Sequence, residues 1–503
     1  MARYKEISQN QTKLIPISYS AQILPGTFEH TLNHLIDHEL DLSIFSKRYN
    51  NDQTGAPAWN PAVLLKIVLF AYSRGVISSR KIAQYCDEHV IFMALSADSH
   101  PHFTTIADFI ATMHEEIIVL FRNVLLLCSE MKLIDGSMFA VDGCKMPSNA
   151  SKEWSGTKDD LRKKKIKIEK ALRYIIEQHT VKDGKEVSGP EPDHAHDQQV
   201  RKLKAKVRKL EKWLKENEDK EGSRGRKNQS NITDNESAKM KSSHGVIQGY
   251  NGLAMVDSKH QIVVYGEAFG SGQEHNLLTP VVQGAKESLQ AIGKNTAALK
   301  GKTLVADTGF GGENNFEMLK NEGIDAYIPD VHYRQRDPRY VTAKRHRPER
   351  QCYGQDEFRY ISRKNEYICP SGKRLKMTGQ KRIVKGTRFG KEYKASKHDC
   401  SICKKSGFCL KGNTAERRTL FVTKGRYASY TDRMIKKIDT VDGRKTYSRR
   451  MGIIEPVFGN IRGAKQLNRF TLRGKKKVNI QWLLYTMVHN IEKICKYGEE
   501  KAE

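Results

Sequence analysis

The chain lacks any uninterrupted apolar run long enough to cross a membrane. The longest, Ala62 to Tyr72, is broken by Lys66, whereas a helical span needs about 20 apolar residues. A membrane-embedded class is therefore excluded on sequence grounds, and a soluble chain is expected. Cysteine is scarce, with nine in 503 residues, and an odd, sparse set argues for reduced thiols or a metal site rather than a disulfide framework. The opening stretch Met1 to Asn10 holds Arg3, Lys5 and Glu6, and no apolar h-region follows it. Neither a secretory signal nor a transit peptide is expected, which points to the cytoplasm. Acidic residues are also short. Asp plus Glu number 58 against 87 Lys plus Arg, a net charge of +29, which exceeds what solubility needs and suits a polyanion such as nucleic acid.

At 503 residues the chain exceeds the roughly 250–300 at which a single core stops growing, so two or more domains are expected. Residues 1–135 read as an all-α domain. Pro61 opens an apolar helix, Ser78 and Ser79 are candidate caps, and a further helix is expected from Thr104 and Thr105 through Val124. From Met138 the pattern turns to α/β. Phe139 to Val141 reads as a short strand closed by Asp142, and Tyr250 to Phe269 as a hairpin turning at Asp257 to His260. Leu304 to Ala306 and Ala326 to Pro329 read as strands flanking a helix over Glu313 to Asn321. Residues 136–150, 231–330 and 447–503 are thus expected to form one mixed-sheet core.

Two insertions interrupt that core. Residues 151–230 carry Ile168, Leu172 and Ile175, then Leu203, Val207, Leu210 and Leu214, at the spacing of a helical hairpin with a coiled-coil seam. Residues 331–446 read as basic and strand-rich, and hold the cysteine cluster. Ile480, Leu484, Met487, Ile491 and Ile494 mark a closing amphipathic helix.

Three acids stand in contrasting local settings. Asp142 and Asp307 follow apolar strand signals and precede glycines, and Glu455 lies early in the helix-like stretch Gly452 to Ile461. Carboxylates at strand ends joined by one on a helix can hold Mg²⁺, a hard cation that prefers oxygen ligands. Two such ions can activate a water or a 3′-hydroxyl and stabilise the departing oxygen of a phosphodiester. Seen singly, a strand-closing aspartate is more often a turn residue or helix cap.

The sequence around these acids is more specific. Val141-Asp142-Gly143-Cys144-Lys145 with Asn149-Ala150-Ser151, then Ala306-Asp307-Thr308-Gly309-Phe310, then Ile454-Glu455-Pro456-Val457-Phe458-Gly459 resemble, in order and separation, the three signature blocks of bacterial insertion-sequence transposases of the DDE class. Leu14-Ile15-Pro16 and Thr105-Ile106-Ala107-Asp108-Phe109 resemble that group's N-terminal domain. The resemblance implies a ribonuclease H-like core with Asp142, Asp307 and Glu455 as ligands of two Mg²⁺ or Mn²⁺ ions. It also implies cleavage at the ends of the element, strand transfer into target DNA, and a homodimer assembled on DNA carrying terminal inverted repeats. Some relatives place Tyr, Arg and Lys at set spacings around the glutamate. Tyr447, Arg450 and Arg462 stand near those places at altered spacing, as DNA-end contacts or as a solvated basic face. A nuclease that cuts without joining, and a silent DNA-binding derivative, remain the rival readings.

Other signals are local. Cys369, Cys400, Cys403 and Cys409 supply four sulfurs, enough for a closed Zn²⁺ site or simply reduced thiols. The runs Arg162 to Lys167 and Arg334 to Arg350 suit phosphate contact or a solvated face. Asp234 is expected to cap a loop, and His275 and His489 to be structural.

Overall fold

The computed structural model describes residues 16–49, 51, 57–183, 194–221, 227–242, 245–295, 297–342, 353–355, 357–382, 389–410, 415–423 and 430–498. Leu14 and Ile15, the expected N-terminal signal-free stretch, and parts of the runs 184–196 and 334–350 lie outside them. The fold is mixed α/β, and it divides into one compact unit of residues 1–304 with 449–503 and a second of 305–448.

Among the described residues the first unit opens with the α-helices α1 (Phe28–His34), α2 (Pro61–Ser73), α3 (Ser79–Glu88), α4 (Val90–Ser96), α5 (Phe103–Thr112) and α6 (His114–Glu130). Pro61 occupies the first turn of α2 and the Asn60 side chain accepts from Ala62 N–H. Every residue of α2 from Leu64 to Tyr72 is buried. Lys66 is tolerated there because its ammonium lies 2.6 Å from Asp37. The single helix expected from Thr104 to Val124 is instead two. Met113, at ψ 44°, breaks the path between α5 and α6, and its own side chain is fully buried.

The sheet follows. β1 (Met138–Pro147) leads into a small strand β2 (Ser155–Gly156), the helical pair α7 (Lys158–Asp183) and α8 (His194–Glu216), and the short strands β3 (Lys220–Glu221), β4 (Lys227–Asn228) and β5 (Ser230–Asn231). α7 and α8 pack together, and Leu161, Leu210, Trp213 and Ile232 form a small core at their base. β6 (Ala238–Ser242), β7 (Gly245–Asp257) and β8 (Val263–Phe269) complete the antiparallel part of the sheet, followed by α9 (Leu278–Ala291). β7 pairs with β1 along one side. Its other side is shared by β6 near its start and β8 over the rest. A bulge at Met255/Val256 shifts the register of this hairpin, so that Val256 faces Val263 and Met255 faces Tyr265.

β9 (Thr303–Ala306) crosses from the first unit into the second, which continues with α10 (Glu313–Asn321), β10 (Asp325–Tyr327) and α11 (Tyr333–Arg336). A meander follows: β11 (Arg359–Ile361), β12 (Glu366–Ile368), β13 (Arg374–Arg382), β14 (Phe389–Ala395), the short α12 (Lys397–Ser401) and β15 (Thr419–Thr423). Its five strands lie in sequence order over a core of Phe358, Tyr367, Leu375, Tyr393 and Leu420. α13 (Tyr430–Ile438) is capped by Glu313, which accepts from Tyr430 N–H at 2.8 Å and Thr431 N–H at 3.1 Å. α14 (Val441–Gly459) then carries the chain back into the first unit.

The last helix, α15 (Lys475–Tyr497), packs between the N-terminal helices and β8. The exposed edge of β8 would leave backbone donors and acceptors unpaired. Two asparagines of α15 take that place: Asn490 exchanges both hydrogen bonds with Val263 at 2.8 and 2.9 Å, and Asn479 with Ala268 at 2.7 and 3.2 Å. The spacings match, since eleven helical residues and five strand residues each span about 16 Å. Trp482 lies over Gly252 and Gly266, where an added Cβ would come within 3.2 and 3.1 Å of its indole.

Candidate active site

Asp142 does not close its strand as expected. β1 continues five residues further, and Asp142 sits mid-strand opposite Ala254. Gly143 is therefore no exit turn. A Cβ there would lie 2.5 Å from Leu253 and 2.8 Å from Asn251, so the glycine allows close cross-strand packing. Its N–H donates to Asp142 Oδ1 at 2.8 Å. The other carboxylate oxygen, Oδ2, lies 2.5 Å from Arg450 Nη1.

Glu455 also departs from expectation, standing near the end of α14 rather than early in a helix. Pro456 inside that helix lacks an N–H, which frees the carbonyl of Gly452 four residues back. Gln261 supplies the missing donor, its Nε2 lying 2.9 Å from that carbonyl. Gln261 reaches α15 as well: its carbonyl accepts from His489 Nε2 at 2.9 Å and its Oε1 accepts from Lys493 at 2.8 Å. The residue that steadies the glutamate's helix thus comes from the β7–β8 turn, where it adopts φ 62°.

Arg450 joins two of the three acids. Its Nη2 lies 3.3 Å from Glu455 Oε1 while Nη1 holds Asp142. The Arg450 and Asp142 side chains are 11% and 16% exposed, against 51% for Glu455, so the guanidinium is largely withdrawn from water on the aspartate side. A basic residue expected to grip DNA is therefore positioned against the carboxylates.

Arg462 has a different setting. It stands beyond the end of α14, in a π-turn over Asn460–Ala464. It lies beside Cys144, two residues beyond Asp142; burial pushes that thiol up to about 11, opposed by the nearby Arg462. Asp307 belongs to the second unit and stands just after β9, at the N-cap of the turn Thr308–Phe310. Its side chain makes no capping hydrogen bond to that turn. Tyr447, also in the second unit, packs edge-on against Tyr333 with ring centroids 5.3 Å apart.

Asp234 lies in the loop before β6 as expected, but buried, and accepts from Tyr250 Oη at 2.8 Å. His489 is buried between Gln261 and Asn460, and burial lowers it to about 3. In the second unit Cys369, Cys400, Cys403 and Cys409 line one small cavity. Lys373 N–H points to Cys369 Sγ at 3.3 Å and Arg418 N–H to Cys400 Sγ at 3.5 Å. Cys403 is held below the ordinary thiol range by Ser371 and the backbone N–H of Lys405. Among the described residues no group of three or more His, Cys, Asp or Glu is arranged to hold a metal ion, and no helix is long and apolar enough to cross a membrane.

Three family models match the chain. A transposase domain (DUF772) covers residues 17–112, and two transposase DDE domains cover 176–383 and 368–495. Asp307 and Glu455 fall within matched segments, and Asp142 falls between them. Neither a curated protein nor a solved structure matches. With a transposase domain over residues 17–112 and transposase DDE domains that together cover 176–495, the chain belongs to the DDE transposases of insertion sequences.

Proposed function

We propose that this chain cleaves DNA at the ends of an insertion sequence and joins the freed 3′-hydroxyls to target DNA. It would do so on a ribonuclease H-like core, as a homodimer assembled on the terminal repeats, with Asp142, Asp307 and Glu455 as the metal ligands. One observation carries the reading: oxygens of Asp142 and Glu455, from a strand and a helix far apart in sequence, face the same guanidinium. Two hard oxygen donors already turned toward one positive charge suit Mg²⁺ or Mn²⁺. When bound, a pair of such ions activates the attacking hydroxyl and stabilises the leaving oxygen. Gly143 N–H keeps Asp142 oriented, and Gln261 steadies the helix bearing Glu455. Arg450 and Arg462 place positive charge where a scissile phosphate would otherwise meet only acids, and Tyr447 is assigned to the DNA end on resemblance alone.

Incubating the protein with labelled DNA ends in Mg²⁺ tests this. Cleavage and joining, both lost in Asp142→Asn, are expected. Cutting without joining would identify a nuclease, and binding without either reaction a silent derivative.

For the second unit we propose a structural Zn²⁺ held by Cys369, Cys400, Cys403 and Cys409. Four sulfurs around one cavity match the donor set of a closed tetrahedral zinc site. Binding would draw the sulfurs inward and tie β12 and β13 to α12.

A further inference from the structure

A cleft on the first unit is lined by Lys145, Lys220, Lys227, Lys239 and Lys241, and its described lining residues include neither an acid nor an aromatic ring. The lysines come from β1, β3, β4 and β6. We infer that this cleft is a sequence-independent seat for a DNA phosphate backbone; the inference rests on the proposed action on DNA and says where a second stretch of that DNA lies.

The charge is concentrated beyond what the local structure neutralises. Lys145 is paired with Glu274 at 3.4 Å and Lys227 with Asp219 at 2.8 Å, and Lys220 donates to the carbonyl of Asn235. Lys239 and Lys241 are exposed on either side of buried Met240. Strand alternation therefore puts both ammoniums on one face, about 7 Å apart. At that distance, inside a Debye length of about 8 Å, they repel each other unless an anion lies between or across them.

Lysines on an edge strand also discourage strand addition, but that accounts only for the pair on β6. The other three converge from separate segments. The wall is firmly built, because a Cβ on Gly270 would lie 1.8 Å from the carbonyl of Glu236 and one on Gly272 2.7 Å from Met240. The remaining lining, including Asn228, Gln229, Ser271 and Gln273, supplies neutral hydrogen-bond donors. Without aromatic rings there is no stacking platform for bases, so contact falls on phosphates and carries no sequence information. Lys145 lies three residues from Asp142 on the same strand, hence on the opposite face of the sheet. The cleft is thus distinct from the carboxylate pair.

The experiment is a salt titration of binding to a fluorescent random-sequence duplex, and to the corresponding single strand, by the full chain and by Lys239→Ala/Lys241→Ala. Loss of two phosphate contacts should flatten the dependence of log affinity on log salt by about 1.8 for duplex or about 1.4 for single strand. Lys239→Arg/Lys241→Arg should restore it. Circular dichroism checks that the exposed substitutions leave the fold intact. An unchanged slope in a folded alanine variant, with wild type binding DNA normally, would overturn the cleft assignment alone. Failure of the wild type to bind either DNA would overturn the functional reading and the cleft with it.

Discussion

Arg450 Nη1 lies 2.5 Å from Asp142 Oδ2, across 308 residues of sequence. The guanidinium therefore sits where a divalent ion shared with Glu455 would have to enter. Arg450→Ala should raise the affinity for Mn²⁺, measured by calorimetry without DNA, by about tenfold, equivalent to about 1.4 kcal/mol of lost competition. An affinity equal to or weaker than wild type would show that the arginine does not compete with metal. The same variant should lose about 1–2 kcal/mol of stability, below the full cost of breaking a buried pair because the site is partly open.

Asp142→Asn keeps the shape of the side chain but removes its charge. Cleavage should fall by roughly three orders of magnitude, a barrier increase of about 4 kcal/mol, with duplex affinity unchanged or raised. A parallel loss of binding would assign Asp142 a structural role.

Gln261→Ala removes the donor to the Gly452 carbonyl that Pro456 leaves unpaired, together with the contact to Lys493. A stability loss of about 1–3 kcal/mol is expected. Faster amide exchange should appear in α14 before it appears in α2. Uniform protection across both helices would remove Gln261 from the support of Glu455.

His489 titrates lower in the fold, at about 3, than its ordinary 6.5, because it is buried and faces Lys465 and Lys493. Between those values the unfolded chain binds the extra proton. Its contribution to stability is therefore complete above pH 6.5 and declines as the pH falls toward 3, at up to about 1.4 kcal/mol per pH unit. Urea unfolding of His489→Gln between pH 7.5 and 5 should show a shallower decline than wild type. Equal slopes would locate the acid sensitivity elsewhere.

Elemental analysis of protein purified without chelator should find one zinc per chain, and Cys400→Ser should lose it and loosen the β11–β15 meander. A metal-free protein whose folding is unaffected by Cys400→Ser would leave reduced thiols as the role of the cluster.

Local chemistry made much of this chain legible in its sequence. The apolar run behind Pro61 gave a buried helix, and the Glu313 to Asn321 pattern gave α10, because periodicity and caps act over a few residues. The acids stood out through their flanking sequence. What the sequence could not express was the company each residue keeps. By its apolar pattern the strand ends where an aspartate interrupts it, yet β1 runs on through Asp142 because β7 pairs with it beyond that point. Arg462 shares one short basic segment with Glu455 but leaves the glutamate's helix, because a π-turn begins after Gly459. Gln261 carries no motif, and its importance arises only when Pro456 leaves a carbonyl open beside it. Arg450 reads as a DNA-end contact or a solvated base until folding withdraws it from water between two carboxylates. Pattern and propensity are set by near neighbours along the chain, whereas desolvation and pairing depend on groups that only tertiary structure brings within hydrogen-bonding distance.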